Sequence, residues 1–568
     1  MGAVTLRGIA AAPGVAIARA WRYAPPTAGD DRIGLEEGSQ AAAEALEALA
    51  ERLRAGGRDE EAGILEAQAL MAQDPELIDA ARRHTGGGMR ASDAILVAGN
   101  ELATVLGDLG DEVLSARAAD VRDVAERIAR AIRGQELPRL AERSIAVAED
   151  LPPSVTAELD PQLLAGIALE AGSPTAHAAI LSRALGIPAI VGVRGLLAAT
   201  TEGSELGIDG AAGEVVIDPD PDARARLAAA AATERERVAA DRELSATPLA
   251  TRDGHRVLLG ANIGRPEEAV AAAEAGAEAI GLFRTEFMFM GRSAAPAVEA
   301  QADAYATALT AFAGRPVVIR LLDVGGDKQL PYLRQEHEEN PFLGVRALRL
   351  AMTNRELLVG QLRAIALAAA RSPAETWVMA PMVADQDDAA LLRGLVEEAG
   401  GPWTGIRVGI MVEIPSAVVL AESLAGVVDF FSIGTNDLTQ YLLAVDRTNA
   451  ALAERQDPMH PAVLRAIRTT VEGGRAAGIP VAVCGEMAGD PAGAIVLVGL
   501  GVDELSMDPR SFGPVKRALA EVTLDDARAA AVDACAAASA ADAREVVTRL
   551  RSQHLAARQV ATSDRDQP

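Results

Sequence analysis

The sequence predicts a multidomain α/β protein whose C-terminal half is a (β/α)₈ barrel of the TIM type. From about residue 249 onward, apolar segments of strand length alternate with helical segments, roughly eight times over ~300 residues. Before that point, an almost entirely helix-forming stretch separates the N-terminal segment from a region of short apolar strands. An open, doubly wound sheet is the structural alternative for the C-terminal half.

Near the N-terminus lies an apolar segment, LRGIAAAPGVAIARA (Leu6 to Ala20), which we interpret as a short strand and a turn. It has features of a weak signal peptide, but Pro13-Gly14 interrupts its apolar part and only one charge precedes that part, so we do not expect export. The sequence also lacks the ~20 consecutive apolar residues of a membrane-spanning helix. We therefore expect a soluble, cytoplasmic protein with no membrane partner.

The region from Ser39 to Arg133 is predicted to be all α-helical, because Ala, Leu, Glu and Arg recur in it at helical spacing. Its last segment places six apolar residues on one helical stripe, and Gly134 is suited to end that helix. The stripe consists of Val113, Ala116, Val121, Val124, Ile128 and Ile132.

Short apolar strands and one helical run, from Ser144 to Asp218, predict a compact α/β unit. The strands are SIAVAED, AGIALE, PAIVGV, SELGIDG and EVVID. The helical region is then inserted between residues 1–23 and this unit. The segment from Asp222 to Ser245 is polar and rich in alanine, which is typical of a helix that connects two domains.

Eight segments are candidates for the strands of the barrel, and helical stretches separate most of them. They are VLLGANI (257–263), AIGLFRTE (279–286), PVVIRLLD (316–323), FLGVRA (342–347), WVMAPMV (377–383), RVGIMVE (407–413), DFFSIGTN (429–436) and PVAVCGE (480–486). The fourth segment, FLGVRA, carries the weakest strand signal.

The charge balance excludes some classes of partner. Lys and Arg number 54 and Asp and Glu number 81, which gives a net charge of −27. A surface this negative repels a phosphate backbone over most of its area, so nucleic acid is not an expected partner. Two cysteines cannot form a disulfide framework at this length, which agrees with a reducing cytoplasm.

Charged residues stand at the C-terminal ends of several predicted barrel strands, where the active site of such a barrel lies. They include Arg284, Arg320, Lys328, Arg346 and Arg447, with the polar Asn436. Arginines that converge on one pocket predict a site for a small polyanion, because the guanidinium fork matches carboxylate and phosphate oxygens. Mutual charge pairing around the barrel mouth is the alternative explanation for any single arginine.

Two acidic residues and a cysteine complete this predicted pocket. Glu413 and Asp437 come from neighbouring predicted strands and are candidate ligands for Mg²⁺, which takes one or two carboxylates besides water and substrate oxygens. Cys484 ends the last predicted strand beside Gly485-Glu486. It is either an exposed catalytic thiol or a small buried apolar residue, and its position alone favours neither.

His177 has the most informative surroundings of the six histidines. In the segment GSPTAHAAILSRALGIPAIVG, Ser173 can cap a helix and Pro174 can be its first residue, which puts His177 in the first turn. The helix dipole keeps an imidazole there neutral and favours the negative charge of an added phosphoryl group. Taken alone, the segment favours a structural histidine over a functional one.

Several long pieces of the chain resemble enzyme I of the bacterial phosphoenolpyruvate:sugar phosphotransferase system, in the order of that family and over nearly the whole length. These pieces are GIAAAPGVAIARA, RAADVRDVAERI, TAHAAILSRALGIPAIVG, GLFRTEFMFM, RLLDVGGDKQLPYL, ENPFLGVRALR, VGIMVEIPSA, DFFSIGTNDLTQYLLAVDR and CGEMAGD. The resemblance implies a phosphotransferase that takes a phosphoryl group from phosphoenolpyruvate and releases pyruvate.

The resemblance also implies a role for each candidate residue. The phosphoryl acceptor falls on His177 and the proton donor to the enolate on Cys484. Phosphoenolpyruvate-binding residues fall on Arg284, Arg320, Arg346, Lys328, Asn436, Asp437 and Arg447, and the Mg²⁺ ligands on Glu413 and Asp437. One departure concerns the residues before the histidine: Ser173-Pro174-Thr175-Ala176 stand where the family usually has Gly-Arg-Thr-Ser.

The implied domains are a swivelling phosphohistidine α/β domain (1–23 and 134–221) with an inserted helical domain (24–133) that docks the phosphocarrier protein HPr. After these domains come a linker helix (222–248), the barrel (249–545) and a C-terminal tail (546–568). The resemblance implies that the barrel mediates a homodimer. Three alternatives stay open: a related phosphotransferase that serves a regulatory carrier, an enzyme of the pyruvate phosphate dikinase class, and a binding protein that has lost catalysis. The dikinase class requires an ATP-binding domain, for which we find no candidate in this sequence.

Overall fold

The computed structural model describes the chain except residues 1–3, 24–27, 56–58, 109–111, 137–138, 173–177, 179–180, 183–184, 245–246, 291, 293, 326–329, 331, 334–337, 402, 404, 448, 450–451, 453–454 and 564–568. The chain divides into two units, Met1–Arg237 and Val238–Pro568. This boundary falls inside the helix Pro221–Leu244, in the segment for which the sequence predicts a connecting helix. The five-part division into domains stays a prediction.

The first unit contains an eight-stranded mixed sheet, formed by described residues from both sides of the helical region. Its strands are β1 (Val4–Arg7), β2 (Ile9–Ala12), β3 (Val15–Arg22), β4 (Ser144–Ala148), β5 (Leu164–Leu169), β6 (Ala189–Val191), β7 (Glu205–Asp209) and β8 (Glu214–Ile217). Their order is β1-β8-β7-β3-β4-β5-β6-β2, with β3, β4, β5 and β6 parallel. The N-terminal segment therefore forms strands of this sheet, as its apolar pattern predicts.

Alternation of buried side chains on the two faces of this sheet places one apolar cluster on each face. Along β4, Ala146 and Ala148 belong to one cluster, and Ile145 and Val147 belong to the other. Both faces are buried, which explains why these strands read as continuous apolar segments rather than as alternating ones.

Five long helices lie between β3 and β4, in the region that the sequence predicts to be helical. They are Leu35–Ala55, Asp59–Ala72, Pro75–Gly86, Ala91–Asp108 and Glu112–Arg133. In the last of them, the predicted stripe residues Val124, Ile128 and Ile132 are fully buried in a common cluster. Gly134 follows this helix with a φ of 62°, in the left-handed region where glycine is preferred. Two short helices, Pro153–Glu158 and Leu196–Ala199, belong to the sheet region.

The second unit contains a closed barrel of eight parallel strands, which excludes the open sheet for this half of the chain. The strands are β9 (Leu258–Ile263), β10 (Ala279–Phe283), β11 (Pro316–Arg320), β12 (Glu375–Ala380), β13 (Arg407–Val412), β14 (Phe431–Ile433), β15 (Val481–Val483) and β16 (Glu504–Met507). β16 pairs with β9 and closes the barrel, with Ser506 opposite Gly260.

Seven of the eight predicted strand segments are confirmed, and the prediction of a strand at FLGVRA is wrong. Two 3₁₀ helices, Pro341–Leu343 and Ala347–Met352, occupy that region. The barrel strand that the sequence analysis missed is β16, whose four residues read ELSM. Because Glu504 and Ser506 are polar although both are buried, the segment lacks the apolar pattern of a barrel strand.

Helices surround the barrel strands, and most of their ends follow from local sequence. The helix Pro461–Ala477, for example, begins with proline after the capping His460 and ends at Gly478, whose φ of 74° is left-handed. The described helices of this unit are Glu268–Glu274, Val298–Ala311, Arg355–Ala369, Gln386–Ala399, Pro415–Val419, Ala421–Ala425, Thr435–Leu443, Pro461–Ala477, Pro491–Leu500, Phe512–Glu521, Leu524–Ala536 and Ala540–Ser563. Shorter 3₁₀ turns lie at Glu286–Met288, Glu486–Gly489 and Pro509–Ser511.

Apolar side chains of the strands pack in two directions. Residues such as Ile280 and Val378 point toward the surrounding helices, in the large core of the unit. Strand residues that alternate with these form a second buried cluster together with Cys484. They include Leu282, Val318, Met379 and Met411. Among the described residues, no helix is both long enough and apolar enough to cross a membrane.

Candidate active site

A cavity of about 230 Å³ opens at the C-terminal ends of the barrel strands. Seven of the predicted site residues line it: Arg284, Arg320, Glu413, Asn436, Asp437, Arg447 and Cys484. They follow or end β10, β11, β13 and β15, or lie in or just after the helix that follows β14. The parallel barrel brings these ends to one mouth, so residues far apart in the sequence face the same space.

The structure cannot place two predicted site residues, because Lys328 and His177 lie outside the described residues. It places Arg346 beside the cavity rather than on its wall. Arg346 precedes the 3₁₀ helix Ala347–Met352 in extended conformation, so the prediction that it ends a barrel strand is wrong.

Arg320 is held by two acidic residues, Glu286 and Asp323, which the sequence also places at strand ends facing the pocket. Its Nη2 donates to Glu286 Oε1 at 2.8 Å, and its Nη1 lies 3.4 Å from Asp323 Oδ2. Burial by itself lowers the pKa of Arg320, but the carboxylates of Glu286 and Asp323 outweigh that effect and raise it. The guanidinium therefore stays charged inside the barrel, at a fixed position on the cavity wall.

Arg346 makes a buried ionic connection between Asp323 and Asp437. Its Nε and Nη2 donate to the two carboxylate oxygens of Asp323 at 3.1 and 2.9 Å, and its Nη1 donates to Asp437 Oδ1 at 3.1 Å. The Tyr441 hydroxyl accepts a longer bond of 3.4 Å from the same nitrogen. Arg346 thus fixes the orientation of Asp437, which itself lines the cavity.

Arg284 and Arg447 are the more accessible cations of the cavity. Arg284 is half-buried, and no ion pair within 4 Å joins it to any described residue. Arg447 lies 3.6 Å from Asp437 Oδ2 and stacks over the Phe342 ring at 5.4 Å. Both guanidinium groups thus line the cavity, where they can contact an anionic ligand.

Glu413 and Asp437 fit a divalent cation. The Oε1 atom of Glu413 accepts a 2.7 Å bond from the Met382 peptide N–H, but the buried Oε2 atom has no hydrogen-bond partner among the described residues. Burial raises the pKa of Glu413 to about 8, and the carboxylate of Asp437 adds to this rise. A cation between the two carboxylates would relieve both the missing partner and the repulsion.

Gly434 leaves the room that such a cation needs. A Cβ atom at this position would lie 2.8 Å from Glu413 Oε2 and 2.9 Å from Met411 Sδ. No group of three or more His, Cys, Asp or Glu side chains suited to a metal occurs in the part of the chain that the structure describes. A Mg²⁺ site would therefore rest on the two carboxylates and take its other ligands from substrate and water.

Cys484 lines the cavity wall but is buried, so the expectation of an exposed thiol is wrong and that of a small buried residue is confirmed. Its side chain is 2% exposed, and its Sγ lies 3.7 Å from the Ile433 carbonyl oxygen. Burial raises the pKa of this thiol to about 11, which keeps it protonated at neutral pH. The loop after it is fixed by Asn436, whose Oδ1 accepts the Glu486 peptide N–H at 3.0 Å.

The architecture agrees with what comparisons with known proteins show. Residues 238–524 match the family model of the PEP-binding domain of PEP-utilising enzymes. Residues 140–213 match the mobile domain of these enzymes, and residues 7–117 match their N-terminal domain. The phosphoenolpyruvate-protein phosphotransferase of Streptomyces coelicolor is 43% identical over 552 residues, which cover 95% of this chain and 98% of that protein.

The chain belongs to the enzyme I family of phosphoenolpyruvate-protein phosphotransferases. The Bacillus subtilis member is 37% identical over 545 residues, with 92% of this chain and 95% of that protein covered. A multiphosphoryl transfer protein of Rhodobacter capsulatus is 41% identical over 561 residues, with 95% of this chain and 67% of that protein covered. An NMR structure of Enzyme I (nEIt) aligns with 40% of this chain and 99% of its own at 29% identity and a TM-score of 0.35.

Membership of the enzyme I family confirms the resemblance read from the sequence and the enzyme class that it implies, a phosphotransferase. The (β/α)₈ barrel coincides with the matched PEP-binding domain, and the cavity lies at its mouth.

Proposed function

We propose that this enzyme I transfers the phosphoryl group of phosphoenolpyruvate to His177 and from there to a histidine of the carrier protein HPr, and that it releases pyruvate. In this role it catalyses the first step of sugar uptake by a phosphotransferase system. One observation carries the proposal: three arginines, four carboxylates, an asparagine and a thiol line a single cavity at the mouth of the barrel. This set suits a small trianion that must also receive a proton.

The arginines hold the two anionic ends of phosphoenolpyruvate. Arg284 and Arg447 are accessible and bind its phosphate and carboxylate oxygens, while Arg320 presents a charge that its acidic neighbours keep in place. Asn436 uses its Oδ1 for the Glu486 peptide, so its amide N–H groups are left to donate to the substrate. The resemblance assigns substrate contacts to Arg346 and Lys328 as well. The bonds of Arg346 to Asp323 and Asp437 favour an indirect role, in which it orients Asp437.

Glu413 and Asp437 would hold Mg²⁺, and the unpartnered Glu413 Oε2 is the observation that supports this assignment. When bound, the cation neutralises negative charge on the phosphoryl and enolate oxygens. The chain itself supplies the two carboxylates, the space above Gly434 and the arginine that orients Asp437.

The reaction then needs one nucleophile and one acid. An imidazole nitrogen of His177 attacks phosphorus, an N–P bond forms, and the bond between phosphorus and the bridging oxygen breaks. The enolate of pyruvate leaves and takes a proton from the Cys484 thiol at C3, which leaves a thiolate. The high pKa of the thiol favours this role, because the group is fully protonated before the reaction. His177 belongs to the first unit and the cavity to the second. The resemblance implies that a swivelling motion of the phosphohistidine domain brings them together.

The partners are proposed from the family resemblance. Residues 24–133 dock HPr, the barrel mediates a homodimer, and the protein works in the cytoplasm. A phosphotransferase that serves a regulatory carrier instead of sugar uptake is the second candidate. Its chemistry is the same, and only the acceptor distinguishes it.

The decisive experiment incubates the protein with ³²P-labelled phosphoenolpyruvate and Mg²⁺, without any nucleotide. We expect acid-labile label on the protein, and none on His177→Ala. His84→Gln is the matched control, because His84 is another histidine of the first unit and pairs with Glu101 on the surface. A requirement for ATP would indicate the dikinase class. No label on the wild-type protein with Mg²⁺ would refute the proposal.

A second experiment identifies the acceptor. Labelled enzyme is mixed with purified HPr or with a purified regulatory carrier, and the transferred label is counted on each. Preferential transfer to HPr supports the role in sugar uptake, whereas preferential transfer to the other carrier supports the second candidate. Sedimentation equilibrium of the full chain, with and without phosphoenolpyruvate and Mg²⁺, tests the proposed homodimer.

A further inference from the structure

A chain of two hydrogen bonds crosses the barrel interior and ends on the backbone of Cys484. The Ser506 hydroxyl of β16 donates to Asn262 Oδ1 at 2.7 Å. The amide Nδ2 of Asn262, in β9, donates to the Cys484 carbonyl oxygen at 3.0 Å. Ser506, Asn262 and Cys484 come from β16, β9 and the end of β15, which are neighbours in the closed barrel.

Glycines on two adjoining strands make room for Ser506. A Cβ at Gly281 would lie 2.5 Å from Ser506 Oγ, and a Cβ at Gly260 would lie 2.9 Å from it. The interior of such a barrel is usually filled by bulky apolar side chains, and a buried hydroxyl is costly unless it is hydrogen-bonded. Ser506 is fully buried, and the bond to Asn262 satisfies its hydroxyl.

The Cys484 carbonyl oxygen determines which end of the Asn262 amide faces it, because a carbonyl only accepts and must meet the NH₂ group. The amide oxygen of Asn262 then faces Ser506, whose hydroxyl donates to it. The bond from Ser506 thus holds the Asn262 side chain from its other end. Without Ser506, the amide oxygen of Asn262 would lose this donor.

The Cys484 peptide is held on its other side as well. Its N–H donates to the Ile433 carbonyl at 3.1 Å, between two neighbouring strand ends. The bond from Asn262 to the carbonyl oxygen therefore holds the C-terminal side of the Cys484 backbone. Because the direction of the Cα–Cβ bond follows from the backbone, these two bonds together fix the position from which the thiol side chain extends.

We infer that Asn262 is a positioning residue for Cys484, with Ser506 as the group that holds Asn262 from its other end. This inference rests on the proposed function, in which the Cys484 thiol transfers its proton to C3 of the enolate and becomes a thiolate. The bond from Asn262 holds the thiol at the cavity wall, at the distance and angle that this transfer needs. Asn262 itself also borders a second cavity beside Arg284 and Gly485, so it stands close to the reacting region.

The first test compares steady-state kinetics of Asn262→Ala and Asn262→Asp with the wild-type protein. The Asp variant keeps the shape and the acceptor for Ser506, but its carboxylate cannot donate to the Cys484 carbonyl. We expect kcat for pyruvate formation to fall by about 10- to 100-fold in both variants, with KM for phosphoenolpyruvate within about twofold of the wild-type value. The solvent deuterium isotope effect on kcat should rise, because proton transfer becomes rate-limiting.

Thr470→Val is the matched control. Thr470 is fully buried in the helix Pro461–Ala477, and its hydroxyl donates to the Ala466 carbonyl at 3.0 Å. The variant loses one buried hydrogen bond in the same unit, at a place unconnected to Cys484. We expect its kcat, KM and isotope effect to match those of the wild-type protein. A role of Asn262 in stability alone would leave the isotope effect of its variants unchanged as well, and that result would overturn the inference.

A double-mutant cycle tests whether Asn262 acts through Cys484. If it does, Asn262→Ala/Cys484→Ala should be no slower than Cys484→Ala alone. Multiplied effects of the two substitutions would overturn the inference. Ser506→Ala extends the test, and we expect a smaller loss of kcat in the same direction, again with KM unchanged.

The outcomes also separate this inference from the proposed function. If the wild-type protein takes no label from phosphoenolpyruvate, the proposed function itself fails. If the wild-type protein is labelled and the Asn262 variants behave like Thr470→Val, only the positioning role fails. Single-turnover labelling of His177 should stay within about threefold of wild type in Asn262→Ala, since phosphoryl transfer precedes protonation of the enolate.

Discussion

Replacing Arg346 by methionine tests the buried ionic connection behind the cavity. The substitution keeps an apolar side chain of similar length and removes the guanidinium that bonds both Asp323 and Asp437. The side chains of these two acids are only 4% and 10% exposed, so water can replace the lost partner only in part. Removing one member of such a buried pair costs about 3–5 kcal/mol.

The neighbours of the two carboxylates place the expected cost at the lower end of this range. Asp323 keeps Arg320 at 3.4 Å, and Asp437 keeps Arg447 at 3.6 Å. Neither acid is left without a cation, and we therefore expect Arg346→Met to lower the free energy of unfolding of the barrel by about 3 kcal/mol. Urea unfolding, followed by circular dichroism and fluorescence, measures this difference.

Arg355→Met is the matched control, because Arg355 forms an equally short ion pair on the surface. Its Nε lies 2.7 Å from Glu398 Oε2, and the two side chains are 42% and 39% exposed. An exposed pair of this kind contributes about 0–1 kcal/mol. The reasoning would be refuted if Arg346→Met destabilised the barrel no more than Arg355→Met does, or if 1 M salt abolished its effect, as is expected only for the surface pair.

Three further substitutions or reactions test the interior of the barrel. Burial, with a contribution from neighbouring Asp503, raises the pKa of Glu504 to about 7 from an ordinary value of 4.5. The folded state therefore binds this proton more tightly than the unfolded state does. The stabilisation that the bound proton provides is lost as the pH rises from 4.5 to 7. Glu504→Gln should therefore be more stable than the wild-type protein at pH 8 but not at pH 4.5, as measured by urea unfolding. The Cys484 thiol, with a pKa raised to about 11, should react with iodoacetamide far more slowly than a free cysteine at pH 8 and faster as the pH approaches 11, as measured by peptide mass spectrometry. Gly434→Ala should abolish Mg²⁺-dependent labelling by phosphoenolpyruvate, because its methyl group would approach Glu413 Oε2.

Each of these expectations has a control or a contrary outcome. Parallel pH profiles for Glu504→Gln and the wild-type protein would show that Glu504 does not titrate near neutrality. Rapid alkylation of Cys484 at pH 8 would contradict a buried, protonated thiol. Gly360→Ala is the control for Gly434→Ala, because a methyl group in its helix would meet only a side-chain atom at 3.8 Å. It should label normally and gain about 0.5–1 kcal/mol in stability.

Much of the site could be predicted from the sequence because the barrel has a simple rule of assembly. Arg284, Glu413, Asp437 and Cys484 each follow an apolar segment of strand length. Once a parallel barrel is assumed, such positions must meet at one mouth, however far apart they lie along the chain. The structure confirms that these residues line one cavity.

Other features depended on three-dimensional packing. β16 escaped prediction because Glu504 and Ser506 are polar residues in a buried strand, and only Gly260 and Gly281 on adjoining strands leave room for them. The apolar segment FLGVRA looked like a strand, yet Phe342 serves as the surface over which Arg447 stacks. Neither relation has a signature within the local sequence.

By itself, the amino-acid sequence determined most of the order of elements, the family and the residues that can carry the chemistry, since these depend on periodicity and on ordered motifs. Tertiary structure alone decided which cations face the cavity and which are committed to carboxylates. Arg284 and Arg346 look alike in the sequence, but Arg346 is fixed between Asp323 and Asp437 whereas Arg284 is not paired with a described acid. The physical reason is that the strength of a charge pair depends on distance and burial, and both are properties of the packed barrel.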